Sequence, residues 1–172
     1  MEQEFDAVVD RCQRSVFTYA CYFLHDRESA EDTTQEVFLK LWRNWARIDL
    51  ERVDAWLMRV TRNACYDALR LRRTAGKHLA HLPEGALEAR PDRQPGPAER
   101  AQAIDVQRLF RQGLAQLAEP LRSVLILREI LGYKYEEMAE TLEIPLNTVR
   151  VYLHRGRKRM REQLKEAYVN DA

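Results

Sequence analysis

The chain has 172 residues, 45% of them apolar, which is long enough for one ordinary domain or two small ones and rich enough for packed cores. Its net charge of +1 hides a division: from Asp26 to Glu36 the acids Asp26, Glu28, Glu31, Asp32 and Glu36 face the single base Arg27, whereas from Asn147 to Lys165 seven bases face only Glu162. No stretch approaches the roughly 20 apolar residues of a spanning helix, the start MEQEFDAVVDRCQ has no basic end followed by an apolar run, and Cys12, Cys21 and Cys65 form no C-x-x-C pair, so membrane insertion, a disulfide framework and a zinc site are all disfavoured. The expectation is a cytoplasmic protein with buried, reduced thiols and two oppositely charged surfaces for different partners, the basic one suited to nucleic acid.

Apolar residues recur at three- and four-residue spacing from the start (Val8, Val9, Cys12, Val16, Phe17, Ala20, then Ala30, Val37, Phe38, Leu41), which predicts helices. The pattern stops where Pro83, Gly85, Pro91, Pro95, Gly96 and Pro97 cluster, and it resumes with Ile104, Leu109, Leu114 and Leu117. The reading is all-α: a helical domain over 1–73, a flexible linker over 74–100 and a second helical domain over 101–172, the two domains being structurally independent.

Between Ser29 and Trp45, helical winding puts Ala30, Thr34, Val37, Phe38, Leu41 and Trp45 on one face. Glu31, Asp32, Gln35, Glu36, Leu39, Trp42 and Arg43 take the other, where Leu39 and Trp42 among carboxylates form an apolar centre with a polar rim, the anatomy of a protein interface. A merely solvated face is the alternative. From about Asp54, expected as an N-cap, the next helix places Leu57, Val60, Ala64, Ala68 and Leu71 on the core side. Arg59, Arg62, Asn63, Tyr66, Arg70 and Arg73 fall opposite; cations hold phosphates, a ring stacks on a base and an amide reads a base edge, a combination suited to single-stranded or melted DNA.

The stretch YEEMAETLEIPLNTVRVYLHRGRKRM reads as a helix at Tyr135–Leu142, a turn over Glu143–Leu146 and a second helix from about Asn147. Small Ala139 lets the two cross closely, and Leu142, Ile144, Val149 and Leu153 supply their shared contact. With Val149 and Leu153 inward, Asn147, Thr148, Arg150, Val151, His154 and Lys158, flanked by Arg155 and Arg157, are the candidates for a major groove. A helical hairpin with solvated charges is the alternative. His78 and His81 lack a third ligand, and no catalytic or nucleotide-binding motif is visible, so neither metal, cofactor nor enzymatic activity is assigned.

Three segments resemble one family. DRESAEDTTQEVFLKLW is similar to the most characteristic segment of bacterial sigma factors; Trp56, Leu57, Val60, Arg62, Asn63, Asp67 and Arg70 match their W-L-x-x-V-x-R-N and D-x-x-R pattern; LAEPLRSVLILREILGYKYEEMAETL resembles their C-terminal domain. The likeness is to the small extracytoplasmic-function type of the sigma-70 family. It implies that Asp32, Gln35, Glu36, Leu39 and neighbours bind core RNA polymerase, and that the Asn44–Val53 loop with the following helix recognises the minus-ten promoter element and holds a flipped base. It implies too that the helix-turn-helix reads the minus-thirty-five element as duplex and that a dedicated anti-sigma protein exists. Holding a flipped base needs no fuel, because a pocket for the unpaired form captures spontaneous openings. The chain departs from the family at Lys134 and Glu143, where serine and glycine are common, and at Val151 and Tyr152, where serine and arginine are common. The first pair weakens local capping and turn preference by under about 1 kcal/mol each; the second pair alters which bases can be read. The competing class is a free-standing helix-turn-helix regulator, which leaves the acidic helix with Leu39 unexplained. An enzyme acting on structured RNA is a third class, disfavoured by the missing catalytic groups.

Overall fold

The protein is described by a computed structural model covering the backbone of residues 2–76 and 97–170 and the side chains of 2–76 and 106–166. Every regular element among these residues is helical. Three helices make the N-terminal unit: α1 (Glu2–Leu24), α2 (Arg27–Asn44) and α3 (Val53–Thr74), with two short 3-10 turns, Trp45–Arg47 and Leu50–Arg52, bridging α2 to α3. Four make the C-terminal unit: α4 (Pro97–Gln116), α5 (Leu121–Leu125), which continues as a π-turn at Ile126–Ile130, then α6 (Tyr135–Leu142) and α7 (Leu146–Asn170). Residues 97–100, expected in the linker, belong to α4, where proline at the first helical position sacrifices no hydrogen bond. At the other end Thr74, also expected in the linker, closes α3, Ala75 and Gly76 follow it, and the remaining linker residues 77–96, with His78 and His81, lie outside the described residues.

The α1–α2–α3 core is the predicted one with additions. Val8, Cys12, Val16, Ala20, Ala30, Val37, Leu41, Leu57 and Ala64 are buried as expected, and so are Met58, Thr61 and Cys65. Thr61 is tolerated there because its hydroxyl donates to the Leu57 carbonyl at 2.7 Å. This turns the buried stripe of α3 away from Leu71, expected in the core but 67% exposed. Asp54, expected as an N-cap, sits one residue inside α3, and its carboxylate accepts from Arg11 at 2.6 Å and from the Cys12 thiol at 3.2 Å. All three cysteines are free and buried. Burial pushes the Cys12 and Cys21 thiols up to about 11 and Cys65 higher still.

The two units are not independent. α1 packs on α4 and on the π-turn, and α3 packs on α6. The whole last turn of α1 is therefore covered, Tyr19 to Leu24 without a break, where an isolated three-helix unit would leave one side wet. At the centre the Tyr19 hydroxyl lies 2.7 Å from Ser123 Oγ. Ser123 donates its own proton to Glu119 Oε2 at 2.6 Å, so Tyr19 is the donor to Ser123. Beside it Arg122, 5% exposed, donates to the carbonyls of Ala115 (2.9 Å) and Leu117 (2.9 Å) in its own unit and to Phe23 (3.4 Å) in the other.

His25, at φ +54° just past α1, is buried near this junction with Nε2 unpartnered. Burial, with the nearby Arg122, Arg111 and Arg72 adding to it, lowers its imidazole from the ordinary 6.5 to about 4. A base whose folded pKa is depressed stays neutral in the fold while the unfolded chain takes up a proton, so stability present above pH 6.5 is lost as pH falls toward 4. The loss amounts to about 3 kcal/mol at about 1.36 kcal/mol per pH unit. Urea unfolding is expected to show this decline between pH 6.5 and 4 and to lose most of it in His25→Asn, which tolerates positive φ. An unchanged slope in that variant would assign the decline to another group.

Candidate nucleic-acid and protein interfaces

Helix α2 starts at Asp26, whose extended backbone and Oδ2, accepting the Ser29 N–H at 2.9 Å, form an N-cap. Arg72 from α3 reaches the same carboxylate at 3.3 Å and the Leu24 carbonyl at 3.2 Å, fixing the α1–α2 corner. With Ala30, Thr33, Val37 and Leu41 buried, α2 turns Glu31, Asp32, Gln35, Glu36, Leu39, Trp42 and Arg43 outward together, as the periodicity required. Leu39 is 54% and Trp42 53% exposed. Trp42 is held edge-on to Phe5 at 5.0 Å, and Phe5 meets Trp45 at 5.2 Å. Phe5 was not singled out from the sequence; its place at i, i+3 with Val8 was the available signal.

On α3 the six nucleic-acid candidates divide. Asn63, Tyr66 (53%), Arg70 and Arg73 are exposed. Arg59 and Arg62 are half-covered by the C-terminal unit: Arg59 bonds Glu143, and Arg62 Nε donates to Glu119 Oε2 at 3.1 Å. Arg52, in the turn before α3 and not among the candidates, pairs with Glu140 at 3.6 Å. No local pattern signals these pairings, since their partners lie 57 to 88 residues away along the chain.

In the C-terminal unit α6 and α7 make the helix-turn-helix within a residue of the expected bounds. Met138, Thr141, Val149 and Leu153 are buried between them, with Ala139, Leu142 and Ile144 partly so. Lys134 offers no side-chain acceptor as a cap, and Glu137 compensates in part by accepting the Lys134 backbone N–H at 2.6 Å. Glu143 occupies the left-handed turn position, φ +54° and ψ +44°, that favours glycine. Gly156 lets α7 approach α5: a Cβ there would lie 3.1 Å from Leu125 Cγ. Asn147, Arg150, Val151, His154, Arg155 and Lys158 line the open side of α7, Thr148 is half-buried, and Arg150 donates to Asn147 Oδ1 at 3.2 Å. Arg157, expected on this surface, is drawn back to Glu129 by bonds of 2.7 and 2.8 Å. No group of three or more metal-ligating side chains exists among the described residues, and none of their helices is long and apolar enough to cross a membrane.

The chain thus joins a three-helix unit, with a basic, aromatic face beside an acidic one, to a helix-turn-helix. Two family models match it, Sigma-70 region 2 over residues 8–74 and Sigma-70, region 4 over residues 107–160. The chain is 31% identical to the RNA polymerase sigma-H factor of Pseudomonas aeruginosa over 168 residues, covering 91% of this chain and 84% of that one. It is 29% identical to the ECF RNA polymerase sigma factor SigE of Mycolicibacterium smegmatis over 160 residues, 93% of this chain but only 61% of that relative's length. The sigma factor RpoE of Bartonella quintana, solved in complex with the anti-sigma factor NepR, has the same fold, with a TM-score of 0.70, 20% identity and coverage of 95% of this chain and 98% of that one. The chain belongs to the sigma-70 family and, within it, to the extracytoplasmic-function sigma factors.

The close approach at Gly156 generates a direct check. Gly156→Val drives two methyl groups toward a leucine with 1% exposure, so denaturant unfolding is expected to show a loss of about 1–3 kcal/mol from overpacking. Wild-type stability would mean that α7 can move off α5 freely.

Proposed function

We propose that this chain binds core RNA polymerase through the exposed face of α2 and directs it to promoters, opening the minus-ten element with α3 and reading the minus-thirty-five element with α7. It performs no covalent chemistry itself; it acts as a cytoplasmic initiation subunit whose units over 1–73 and 101–172 address separate DNA elements. The observation that carries this is the coexistence on one chain of two basic surfaces with an acidic face whose apolar centre, Leu39 and Trp42, stays exposed while Ala30, Thr33, Val37 and Leu41 on the opposite side of α2 are buried. A free-standing regulator would have no use for that third face.

The residues divide by task. Asp32, Gln35, Glu36, Leu39, Trp42 and Arg43 meet the polymerase. Asn63 and Tyr66, with Arg59, Arg62, Arg70 and Arg73, favour the unpaired strand over the duplex, so their binding energy falls on the opened state. Asn147, Thr148, Arg150, Val151, His154, Arg155 and Lys158 face the duplex. Val151, 44% exposed, offers a methyl-compatible contact where the family commonly has a hydroxyl. Arg157 orients α7 through Glu129 more than it meets DNA. A dedicated anti-sigma protein is the expected antagonist, in line with the complex solved for the Bartonella relative.

Run-off transcription with purified core polymerase on a promoter library tests the reading. The wild-type chain is expected to support starts at a subset of promoters, and Leu39→Arg to abolish them all with polymerase affinity lost and helicity intact. Arg150→Ala should weaken upstream-element binding by about 1–3 kcal/mol, roughly ten- to hundredfold, and be rescued in part by concentration. Tyr66→Ala should instead reduce permanganate-reactive thymines at equal duplex occupancy. Full polymerase binding by a folded Leu39→Arg protein, or loss of duplex binding in Tyr66→Ala alone, would contradict the assignment.

A further inference from the structure

We propose that Val151 is a base-reading residue, selecting a thymine by its 5-methyl group in the major groove beside a guanine taken by Arg150. The inference rests on the reading of α7 as the helix that meets duplex promoter DNA, and it names one base that this helix seeks.

Two residues of α7 depart from the family pattern, and the structure gives them different surroundings. Tyr152 is half-buried and packs on the core. Val151 is 44% exposed and, among the described side chains of α6 and α7, is the one large apolar residue left open. A solitary exposed valine is ordinary on a protein surface. This one is set among Asn147, Arg150, His154, Arg155 and Lys158, all of them exposed on the same helix. A β-branched side chain loses freedom in a helix and gains nothing from packing while it is solvated, so neither helix propensity nor burial accounts for valine at this position.

The chemistry of the groove does account for it. Base edges in the major groove are donors and acceptors with one apolar feature, the thymine methyl group. Val151 can neither donate nor accept, so against an adenine, guanine or cytosine edge it displaces water and returns no hydrogen bond. Against thymine it covers a methyl group. A serine there, as the family commonly has, pairs with more than one base, and valine replaces that tolerance with selectivity. Arg150 supplies the register. Its guanidinium donates to Asn147 Oδ1 at 3.2 Å, a neutral partner that orients it without cancelling its charge, and a guanidinium so presented selects guanine O6 and N7. Successive Cα atoms lie about 3.8 Å apart and successive bases about 3.4 Å, so the thymine falls within about two base pairs of that guanine.

The test uses the full chain bound to core RNA polymerase and measures competition for a promoter duplex taken from the run-off library. Each thymine of the upstream element is replaced in turn by deoxyuridine, which keeps the base pair and removes only the methyl group. Each guanine is replaced by 7-deazaguanine, which removes the N7 acceptor. The wild-type chain is expected to lose about fourfold in affinity at one thymine, the worth of one buried methyl group, and about threefold or more at a guanine within two base pairs of it. Val151→Ser should silence the deoxyuridine effect and keep the guanine effect, and Arg150→Ala should do the reverse. Val151→Thr, which keeps one methyl group, should retain part of the thymine effect. Both changes at Val151 fall on an exposed side chain, so helicity is expected to stay at the wild-type level. The absence of a sensitive thymine, a sensitive thymine far from the guanine, or an equal deoxyuridine loss in Val151→Ser would overturn the proposal, the last by assigning the effect to duplex shape. If neither Val151→Ser nor Arg150→Ala alters the response to any substitution in the upstream element, the reading of α7 itself fails, and the proposal with it.

Discussion

The arrangement of the two units depends on one buried cation. Arg122 sits at the end of two helices at once: its guanidinium takes the Ala115 and Leu117 carbonyls where α4 ends, and the Phe23 carbonyl where α1 ends, with the Phe23 ring 5.0 Å beneath it. Both are sites of orphan acceptors and of the negative end of a helix dipole. A guanidinium satisfies them with several donors and little loss of hydration, which lysine could not do. Burial lowers its affinity for the proton, and Glu119 partly offsets that, so the group stays charged and must stay bonded. Removing either helix end would leave an unpaired charge or unpaired carbonyls in a dry site. The interface is thus specific as well as apolar.

This constraint reaches the basic face of α3. Through Tyr19, Ser123 and Glu119 the buried contact continues to Arg62, so the residues that hold the units together adjoin those assigned to the opened strand. The acidic face of α2 is untouched by this arrangement: Leu39 and Trp42 remain exposed with the units docked.

Much of this was legible in the sequence. The faces of α2 and α7 follow from 3.6-residue periodicity, because each packs on one side only, and the helix-turn-helix bounds follow from the apolar run interrupted at Glu143 to Pro145. Where a helix is covered on two sides the periodicity fails: Tyr19, Tyr22 and Phe23 are buried against the second unit, and Thr61 is buried because it satisfies its hydroxyl locally. Leu71 was misassigned for the same reason, since the buried stripe of α3 includes a polar residue that an apolar count skips. Arg59, Arg62 and Arg157 were correctly read as cations on surface-facing positions, but pairing with Glu143, Glu119 and Glu129 is decided by tertiary contact and leaves no mark at helical spacing. Charge runs show which surface is basic without showing what it touches.

The most direct test is the distance between the units in the free chain and on a promoter. The native thiols are buried and the Cys12 and Cys21 thiols titrate only near 11, so cysteines introduced by Asp10→Cys and Lys165→Cys, both exposed, accept probes selectively. Pulsed dipolar spectroscopy is expected to give one short, narrow distance in the free chain and a distance longer by several tens of ångströms in the complex with core polymerase and promoter DNA. The same distance in both states, or a broad distribution in the free chain, would contradict a closed protein that opens onto two separated DNA elements.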